Sequence, residues 1–252
     1  MILDKFRLDG LVAVITGGTK GLGKAITIGL AEAGADIATV SRTPNEDLER
    51  EVLKLGRRYV HYRADLTQRE QTRRVVPSIL KMMGDIDILV NNAGIIRRSP
   101  VVEYIEADWD ATIEIDLSAT FILSQAAGKI MLKKGKGKII NIASVLSFQG
   151  GVNVVAYAAS KHGIIGLTRA FANDWANKGI NVNAIAPGWF VTELTEAIRK
   201  DPERSRSIIG RTPAGRWGIP EDIVGAAVFL ASPASDFIHG VVLPVDGGWM
   251  AW

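Results

Sequence analysis

A glycine-rich turn between a short apolar run and a helical segment constrains the fold of this chain more than any other feature. Residues 11–16 read L-V-A-V-I-T, a β-branched run typical of a strand buried on both faces, and a helical pattern follows at 24–33. The intervening residues 16–23 read T-G-G-T-K-G-L-G. Gly17, Gly21 and Gly23 permit a tight turn and let backbone N–H groups approach a pyrophosphate at the helix N-terminus. The turn therefore predicts a dinucleotide site, although its G-x-x-x-G-x-G spacing differs from the generic G-x-G-x-x-G.

Apolar runs and helical segments alternate along the rest of the chain. Further strands are predicted at 35–41, 59–63, 86–91, 138–143, 180–186 and 240–245, with helices from 67 and at 109–133, 155–177 and 220–230. Strands separated by helices pair in parallel through right-handed crossovers. With 47% hydrophobic residues and no linker or repeat in 252 residues, the sequence predicts a single α/β domain. We expect a doubly wound, Rossmann-like parallel sheet with helices on both faces.

Ligands of such sheets lie outside the carboxyl ends of the strands. Five of the polar or turn-forming residues follow predicted strands at those ends: Gly17, Asp65, Asn92, Ser144 and Pro187. Their shared location is stronger evidence for a site than any one motif.

The composition excludes several classes of site. The chain has no cysteine, which excludes disulfides and thiolate metal sites. His61, His162 and His239 show no metal-ligand spacing, so we expect no metal. A net charge of +3 is too small to indicate a nucleic-acid partner, and the lysines of 133–138 are typical of a solvated loop. No apolar run approaches ~18 residues and the first ten lack a signal core, so we expect a cytoplasmic protein with no membrane partner.

A second group of residues, Ser144, Tyr157 and Lys161, points to proton transfer. A tyrosine four positions before a lysine lies on the same helix face, one turn away. The ammonium favours the phenolate, so the phenol can exchange a proton nearer neutral pH. Ser144, at a strand end, could hold a substrate oxygen against that phenol. Together with the glycine turn, these residues predict a hydride-transfer site.

The residues after the second strand bear on the choice of nucleotide. An NAD-preferring site places an acid there to hold the ribose 2′-hydroxyl. Here the stretch reads T-V-S-R-T, and the first acid is Glu46. Lys20, Ser41 and Arg42 could instead hold a 2′-phosphate. NADP(H) is favoured, and NAD(H) is the alternative.

These motifs resemble those of the short-chain dehydrogenase/reductase family over essentially the whole chain. T-G-G-T-K-G-L-G resembles its nucleotide loop, A-D-L at 64–66 its adenine contact, N-N-A-G at 91–94 its cofactor-lining element and P-G at 187–188 its nicotinamide-side turn. The predicted cofactor-binding residues are Gly17, Thr19, Lys20, Gly21, Leu22, Gly23, Ser41, Arg42, Asp65, Leu66, Asn92, Ala93, Gly94, Tyr157, Lys161, Pro187, Gly188 and Thr192.

The resemblance implies a catalytic set of Ser144, Tyr157, Lys161 and Asp116. Tyr157 would be the acid/base, Lys161 would bind the nicotinamide ribose and lower the pKa of Tyr157, and Ser144 would orient the reacting oxygen. The family usually has an asparagine where this chain has Asp116, anchoring a water that relays protons to the lysine. An ionised carboxylate can accept from that water but cannot donate as an amide can. The proton relay is therefore the part of the pattern from which this chain departs.

Finer strings, such as N-N-A-G-I-I-R-R and T-P-A-G-R-W-G, resemble the branch of the family that acts on sugar acids. The resemblance implies alcohol–ketone interconversion on a small sugar acid of the 2-dehydro-3-deoxygluconate, 2-deoxygluconate or gluconate type. A different carbonyl substrate and a non-catalytic dinucleotide-binding protein are the alternatives. The candidate substrate residues are Ser144, Gln149, Asn153, Arg97 and Trp189, under a lid around 188–212, with Arg98 as a second candidate beside Arg97.

A polar loop or a subunit contact is the competing interpretation of these substrate residues, and for Trp189 it is a flexible lid residue without substrate contact. Arg216 and Trp217 are expected to pack locally or at an interface. The family resemblance also implies a homotetramer in which the apolar C-terminal end packs near a two-fold axis.

Overall fold

Seven parallel strands form one sheet in the computed structural model, which describes residues 1–251. The strand order is β3-β2-β1-β4-β5-β6-β7. The strands are β1 (Val12–Thr16), β2 (Asp36–Ser41), β3 (Tyr59–Arg63), β4 (Ile88–Asn91), β5 (Gly137–Ile142), β6 (Ile180–Pro187) and β7 (Val242–Val245). In the central register, Val14 of β1 pairs with Ala38 of β2 on one side and with Leu89 of β4 on the other. The chain reverses its direction of winding between β1 and β4, so the predicted doubly wound sheet is confirmed.

Helices cover both faces of the sheet. They are α1 (Gly21–Glu32), α2 (Glu46–Lys54), α3 (Arg69–Met83), α4 (Glu106–Ile113), α5 (Ala119–Lys134), α6 (Val155–Trp175), α7 (Glu196–Arg199), α8 (Pro202–Arg211) and α9 (Val224–Ala231). Ile15 of β1 packs into a core cluster with residues of α1, α2 and α9, and Val14 packs into a second cluster with residues of α3 and α5. Alternate side chains of a strand point to opposite faces, so the apolar run of β1 fills two cores.

The predicted long helix at 109–133 differs from the structure in one respect that concerns the site. The helical path begins at Glu106 and ends at Lys134, and between α4 and α5 the stretch Glu114–Ser118 is π-helical. A π-helical turn re-aims the side chains that it carries. Asp116 lies in this stretch, and its carboxylate accepts a hydrogen bond from Ile95 N at 2.8 Å, outside the helix.

The predicted lid at 188–212 contains two helices, α7 and α8, that the sequence analysis did not assign. Asp201 caps α8 by accepting from the backbone N–H groups of Glu203 and Arg204, and Pro202 occupies the first helical turn. An aspartate followed by a proline is a recognised helix start, so the sequence did contain this signal. No helix within residues 1–251 has both the length and the apolar character needed to span a bilayer.

Candidate active site

A cavity of about 890 Å³ opens at the carboxyl ends of the strands. It is lined by residues that directly follow six of them: Gly17, Arg42, Ala64, Asn92, Ala143 and Gly188. Every site residue named from the sequence lines this cavity except Asn153 and Asp116. Because β2 and β3 lie on one side of β1 and β5 and β6 lie beyond β4, the cavity has two ends. We call them the β2–β3 end and the β5–β6 end.

The glycine turn closes tightly on itself between the two ends. Gly17 and Gly21 adopt φ angles of +62° and +52°, in the region that favours glycine. A Cβ on Gly23 would lie 2.1 Å from Gly17 O and 2.5 Å from Asn92 Nδ2, so this position also excludes a side chain. The N-cap of α1, Lys20, makes no side-chain capping bond, which leaves the first N–H groups of the helix to a ligand. The turn therefore fits the pyrophosphate that the sequence predicted.

Polar residues at the β2–β3 end are fixed by local hydrogen bonds. Asp65 Oδ1 accepts from Thr67 N at 3.0 Å and from Thr67 Oγ1 at 2.8 Å. Ser41 Oγ donates to Thr43 O at 2.7 Å and accepts from Thr19 Oγ1 at 3.1 Å.

The two cations at this end differ in their partners. Lys20 Nζ lies 2.5 Å from Glu193 Oε2, in an exposed ion pair that joins the glycine turn to the segment after β6. Arg42 forms no ion pair with any carboxylate of residues 1–251. Of the two, Arg42 is therefore the better placed to receive a phosphate.

Two asparagines tie the centre of the sheet together beneath the cavity. Asn91 Nδ2 donates to Asn141 Oδ1 and to Ser124 Oγ, both at 2.9 Å, which joins β4 to β5 and α5. Asn92 Nδ2 donates to Thr16 O at 2.9 Å, which joins the end of β4 to the end of β1. These bonds hold the strand ends that carry the glycine turn in a fixed position.

Ser144, Tyr157 and Lys161 meet at the β5–β6 end. Ser144 is the second residue after the end of β5, and its Oγ accepts from Leu146 N at 3.1 Å. Tyr157 and Lys161 lie in the first two turns of α6, and Lys161 Nζ is 5.4 Å from the centroid of the Tyr157 ring. Lys161 Nζ donates to Ile142 O at 2.8 Å, which anchors the ammonium to the end of β5. One helix face and one strand end therefore bring together a hydroxyl, a phenol and an ammonium.

Burial dominates the ionisation of the phenol. It raises the pKa of Tyr157, and the charge of Asp116 raises it further, whereas hydrogen bonding with Ser144 and the charge of Arg98 lower it. The lowering of the Tyr157 pKa by Lys161 stays a prediction, and the structure adds Ser144 and Arg98 as groups that lower this pKa. Burial lowers the pKa of the Lys161 ammonium, and the negative charge of Asp116 opposes that effect.

Asp116 lies behind the cavity wall rather than in it. Its side chain is almost fully buried, with Oδ1 bonded to Ile95 N and Oδ2 3.5 Å from Ser160 Oγ. Burial raises the pKa of Asp116 to about 6, although the Lys161 ammonium and these hydrogen bonds lower it. Asp116 can therefore act on the cavity only through Lys161 and the local field.

The predicted substrate residues fall into two groups. Arg97, Arg98, Gln149 and Trp189 line the cavity, and Arg97 Nε lies 3.5 Å from Asp108 Oδ1. Asn153 does not line the cavity. Its φ of +61° places it in the left-handed region that asparagine tolerates, and its carbonyl accepts from Ser99 N at 3.1 Å. It shapes the loop.

Among the cavity residues that the sequence analysis did not name individually are Arg204, Arg211 and Trp249. Arg204 and Arg211 lie on α8, whose existence had not been predicted. Trp249 belongs to the C-terminal end that is expected near a two-fold axis, and this expectation stays a prediction. Within the subunit Trp249 is 5% exposed, and its ring lies 5.6 Å from that of Trp189. Trp252, the last residue of that expected interface, lies outside the described residues.

Trp217 and Arg216 pack locally. The Trp217 Nε1 group donates to Ser205 Oγ at 3.1 Å, and Arg216 Nη1 lies 2.6 Å from Asp222 Oδ2. Among residues 1–251, no three His, Cys, Asp or Glu side chains are grouped to hold a metal ion.

Known proteins resemble this chain over nearly its whole length. The family model described as "Enoyl-(Acyl carrier protein) reductase" matches residues 17–250. The 2-dehydro-3-deoxy-D-gluconate 5-dehydrogenase of Escherichia coli (strain K12) is 49% identical over 253 residues, covering 100% of both chains. The gluconate 5-dehydrogenase of Gluconobacter oxydans is 41% identical over 251 residues, covering 97% of this chain and 96% of that one. The crystal structure of a gluconate 5-dehydrogenase from Burkholderia cenocepacia in complex with NADP and tartrate matches with a TM-score of 0.94 at 42% identity, covering 100% of both chains.

Proposed function

Because the chain belongs to the short-chain dehydrogenase/reductase family, we propose that it is an NADP(H)-dependent oxidoreductase of small sugar acids. It interconverts a secondary alcohol and a ketone on a substrate of the 2-dehydro-3-deoxygluconate type. The observation that carries this proposal is that a single cavity holds both the glycine turn and the group of Ser144, Tyr157 and Lys161. The 49% identity of this chain to the Escherichia coli 2-dehydro-3-deoxy-D-gluconate 5-dehydrogenase supports the substrate class.

The glycine turn and the β2–β3 end hold the nucleotide in this proposal. The pyrophosphate lies against the N-terminus of α1, and Arg42 binds the 2′-phosphate with Ser41 beside it. Bound NADP(H) supplies or accepts the hydride. The Burkholderia cenocepacia relative crystallised with NADP supports this preference, and NAD(H) is the alternative cofactor.

Tyr157 passes the hydroxyl proton in the proposed reaction. In the oxidative direction its oxygen accepts the proton of the substrate hydroxyl, and in the reductive direction it returns that proton to the carbonyl oxygen. Ser144 hydrogen-bonds the same oxygen and orients it. Lys161, anchored to Ile142 O, holds the cofactor ribose and keeps positive charge near the phenol. Asp116 is a positioning residue that acts through Lys161.

The remaining expectations concern the whole molecule. We propose one domain in which the 188–212 segment is a substrate lid, since the Lys20–Glu193 ion pair links that segment to the glycine turn.

We further propose a homotetramer in the cytoplasm. The half-exposed Phe121 of α5, whose ring stacks on Phe171 of α6 at 6.1 Å, supports association through these helices. Light scattering of the purified protein tests the tetramer.

A spectrophotometric screen tests the proposed reaction. The enzyme is supplied with gluconate, 2-deoxygluconate and 2-dehydro-3-deoxygluconate, each with both cofactors in the direction that the substrate allows, and absorbance of the reduced nicotinamide is followed. We expect the highest kcat/KM with 2-dehydro-3-deoxygluconate and NADP(H). Gluconate is the specific alternative, favoured by the Gluconobacter oxydans relative. Turnover of an acetoacetyl thioester with no turnover of any sugar acid would overturn the proposal.

A further inference from the structure

We propose that Arg98, Arg204 and Arg211 form a carboxylate clamp that binds the acid end of the substrate at the β5–β6 end of the cavity. The proposal rests on the proposed sugar-acid function, which requires a carboxylate site but does not say where it is. Two of the three arginines belong to the lid helix α8. The clamp therefore couples substrate recognition to the lid.

The spacing of α8 places one of its faces on the cavity. Arg204 and Arg211 are seven positions apart, about two helical turns. Ser207 and Ile208, which lie between them on the same face, also line the cavity. Arg206 of the same helix does not line it. The helix thus divides its arginines between the cavity and the outer surface.

The three guanidinium groups lack counter-charges in the part of the chain that the structure describes. None of them lies within 4.0 Å of a carboxylate there, whereas the neighbouring Arg97 pairs with Asp108.

The acidic groups that line the cavity lie away from the proposed clamp. Asp65 is at the β2–β3 end, and Glu193 is paired with Lys20.

Arg98 and Arg204 line the same cavity, and the charge of one acts on the other. Burial lowers the pKa of Arg98, and the charge of Arg204 lowers it further, while the nearby Tyr157 phenol opposes the effect. Like charges held together at a cavity wall favour the binding of an anion between them. The same Arg98 charge acts on Tyr157, so an anion bound there lies near the reacting phenol.

Aromatic and amide groups hold the third arginine. The Arg211 Cζ lies 4.1 Å from the centroid of the Trp249 ring, a cation–π contact, and its Nη2 lies 3.4 Å from Gln149 Oε1. Trp249 is 5% exposed and lines the cavity, and its indole Nε1 is a buried donor with no partner among the described residues. A planar guanidinium stacked on a ring presents its remaining N–H groups in one plane, which suits a bidentate carboxylate.

The clamp also determines which carbon reacts. A carboxylate fixed by α8 and Arg98 places the sugar chain between the clamp and Tyr157. The carbon that reaches Tyr157 and Ser144 is then set by its distance along the chain from the acid end.

Calorimetric titration of two matched polyols tests the clamp. D-gluconate and D-glucitol, which carry a carboxylate and a hydroxymethyl group on the same hydroxylated chain, are titrated into the protein saturated with NADPH, so that no alcohol is oxidised. We expect the wild type to bind gluconate at least ~10-fold more tightly than glucitol. Arg204→Ala and Arg211→Ala should each weaken gluconate by about 10- to 100-fold, the scale of a charge-assisted bond, and leave glucitol unchanged. Arg206→Ala, the matched control on the outer face, should change neither.

Equal affinity of the wild type for the two polyols, or gluconate affinities of Arg204→Ala and Arg211→Ala equal to that of Arg206→Ala, would overturn the clamp. Arg204→Lys and Arg211→Lys should retain part of the affinity for gluconate, because lysine keeps the positive charge but lacks the planar group that binds a carboxylate through two hydrogen bonds. Thermal unfolding checks that these variants are folded.

The turnover screen separates this result from the proposed function. If Arg204→Ala and Arg211→Ala turn over sugar acids with an unaltered KM, the clamp is refuted and the proposed function stands. Arginine-dependent gluconate binding without turnover of any sugar acid refutes the reaction and leaves the clamp in place.

Discussion

Lys161 Nζ lies 3.9 Å from Asp116 Oδ2, and both side chains are at most 5% exposed. The Asp116 carboxylate therefore lies next to the Lys161 ammonium, which in turn lies near the Tyr157 phenol. When ionised, it raises the pKa of Lys161 and that of Tyr157 alike, because negative charge favours the protonated form of both. This pair makes the pH dependence of the site testable.

Asp116→Asn should shift the acid limb of the kcat profile for alcohol oxidation to lower pH. Oxidation requires Tyr157 to accept a proton, and loss of the neighbouring negative charge lowers the pKa of Tyr157. Below about pH 6 the wild-type Asp116 is itself protonated, so the two profiles should converge there. Turnover measured from pH 5 to 10 with saturating substrate checks this.

A circular dichroism spectrum and melting curve matching those of the wild type are the control for Asp116→Asn. If the variant is normally folded and its acid limb does not move, Asp116 has no influence on the phenol. The roles proposed for Ser144, Tyr157 and Lys161 would be unaffected.

Tyr157→Phe should lower kcat at least ~10²-fold, the scale of general acid/base catalysis. The ring remains, so packing and cofactor affinity should stay near those of the wild type. Single-turnover absorbance measurements and fluorescence titration with NADPH separate the two effects. Near-native turnover of this variant would refute the role assigned to Tyr157.

Arg42→Ala should weaken NADP(H) binding by about 1.5–3 kcal/mol and barely change NAD(H) binding, because only the former carries the 2′-phosphate. Titration with both cofactors measures the difference, with NAD(H) as the internal control. Equal losses would mean that Arg42 supports the loop rather than the phosphate.

Gly23→Ala should abolish cofactor binding, because the added Cβ would lie 2.1 Å from Gly17 O and force the turn apart. Gly225→Ala on α9 is the matched control: its Cβ meets nothing within 4 Å, and helix propensity predicts a gain of up to about 1 kcal/mol. Nucleotide titration and thermal unfolding of both variants check the contrast. Cofactor affinity retained in Gly23→Ala would show that the turn does not contact the nucleotide.

Trp249→Ala should lower the free energy of unfolding by about 3 kcal/mol, the scale for deleting a buried aromatic ring. It should also raise KM for the sugar acid, because Arg211 loses the ring on which it lies. Phe237→Ala, at a position 99% exposed, is the control and should leave both quantities unchanged. Denaturant unfolding measures the change in stability, and steady-state kinetics measures the change in KM. A wild-type KM in Trp249→Ala would show that the ring does not support the site.

Local sequence patterns were sufficient to predict the sheet and the nucleotide turn. The bounds of β3, Tyr59–Arg63, match the predicted ones, and those of every other strand lie within two residues of the prediction. The reason is that β-branched runs and glycine turns act locally along the chain. The grouping of Gly17, Asp65, Asn92 and Ser144 also followed from local pattern, since the ends of parallel strands share one edge.

The charges that act on the Tyr157 phenol, by contrast, could be identified only from the folded chain. The distances from Asp116 to Lys161 and from Arg211 to Trp249 join residues 45 and 38 positions apart, and no local pattern specifies them. The π-helical turn that aims Asp116, and the docking of α8 over the cavity, likewise depend on packing against other elements. Burial and electric fields sum over all neighbours in space, and for that reason they arise only once the chain has folded.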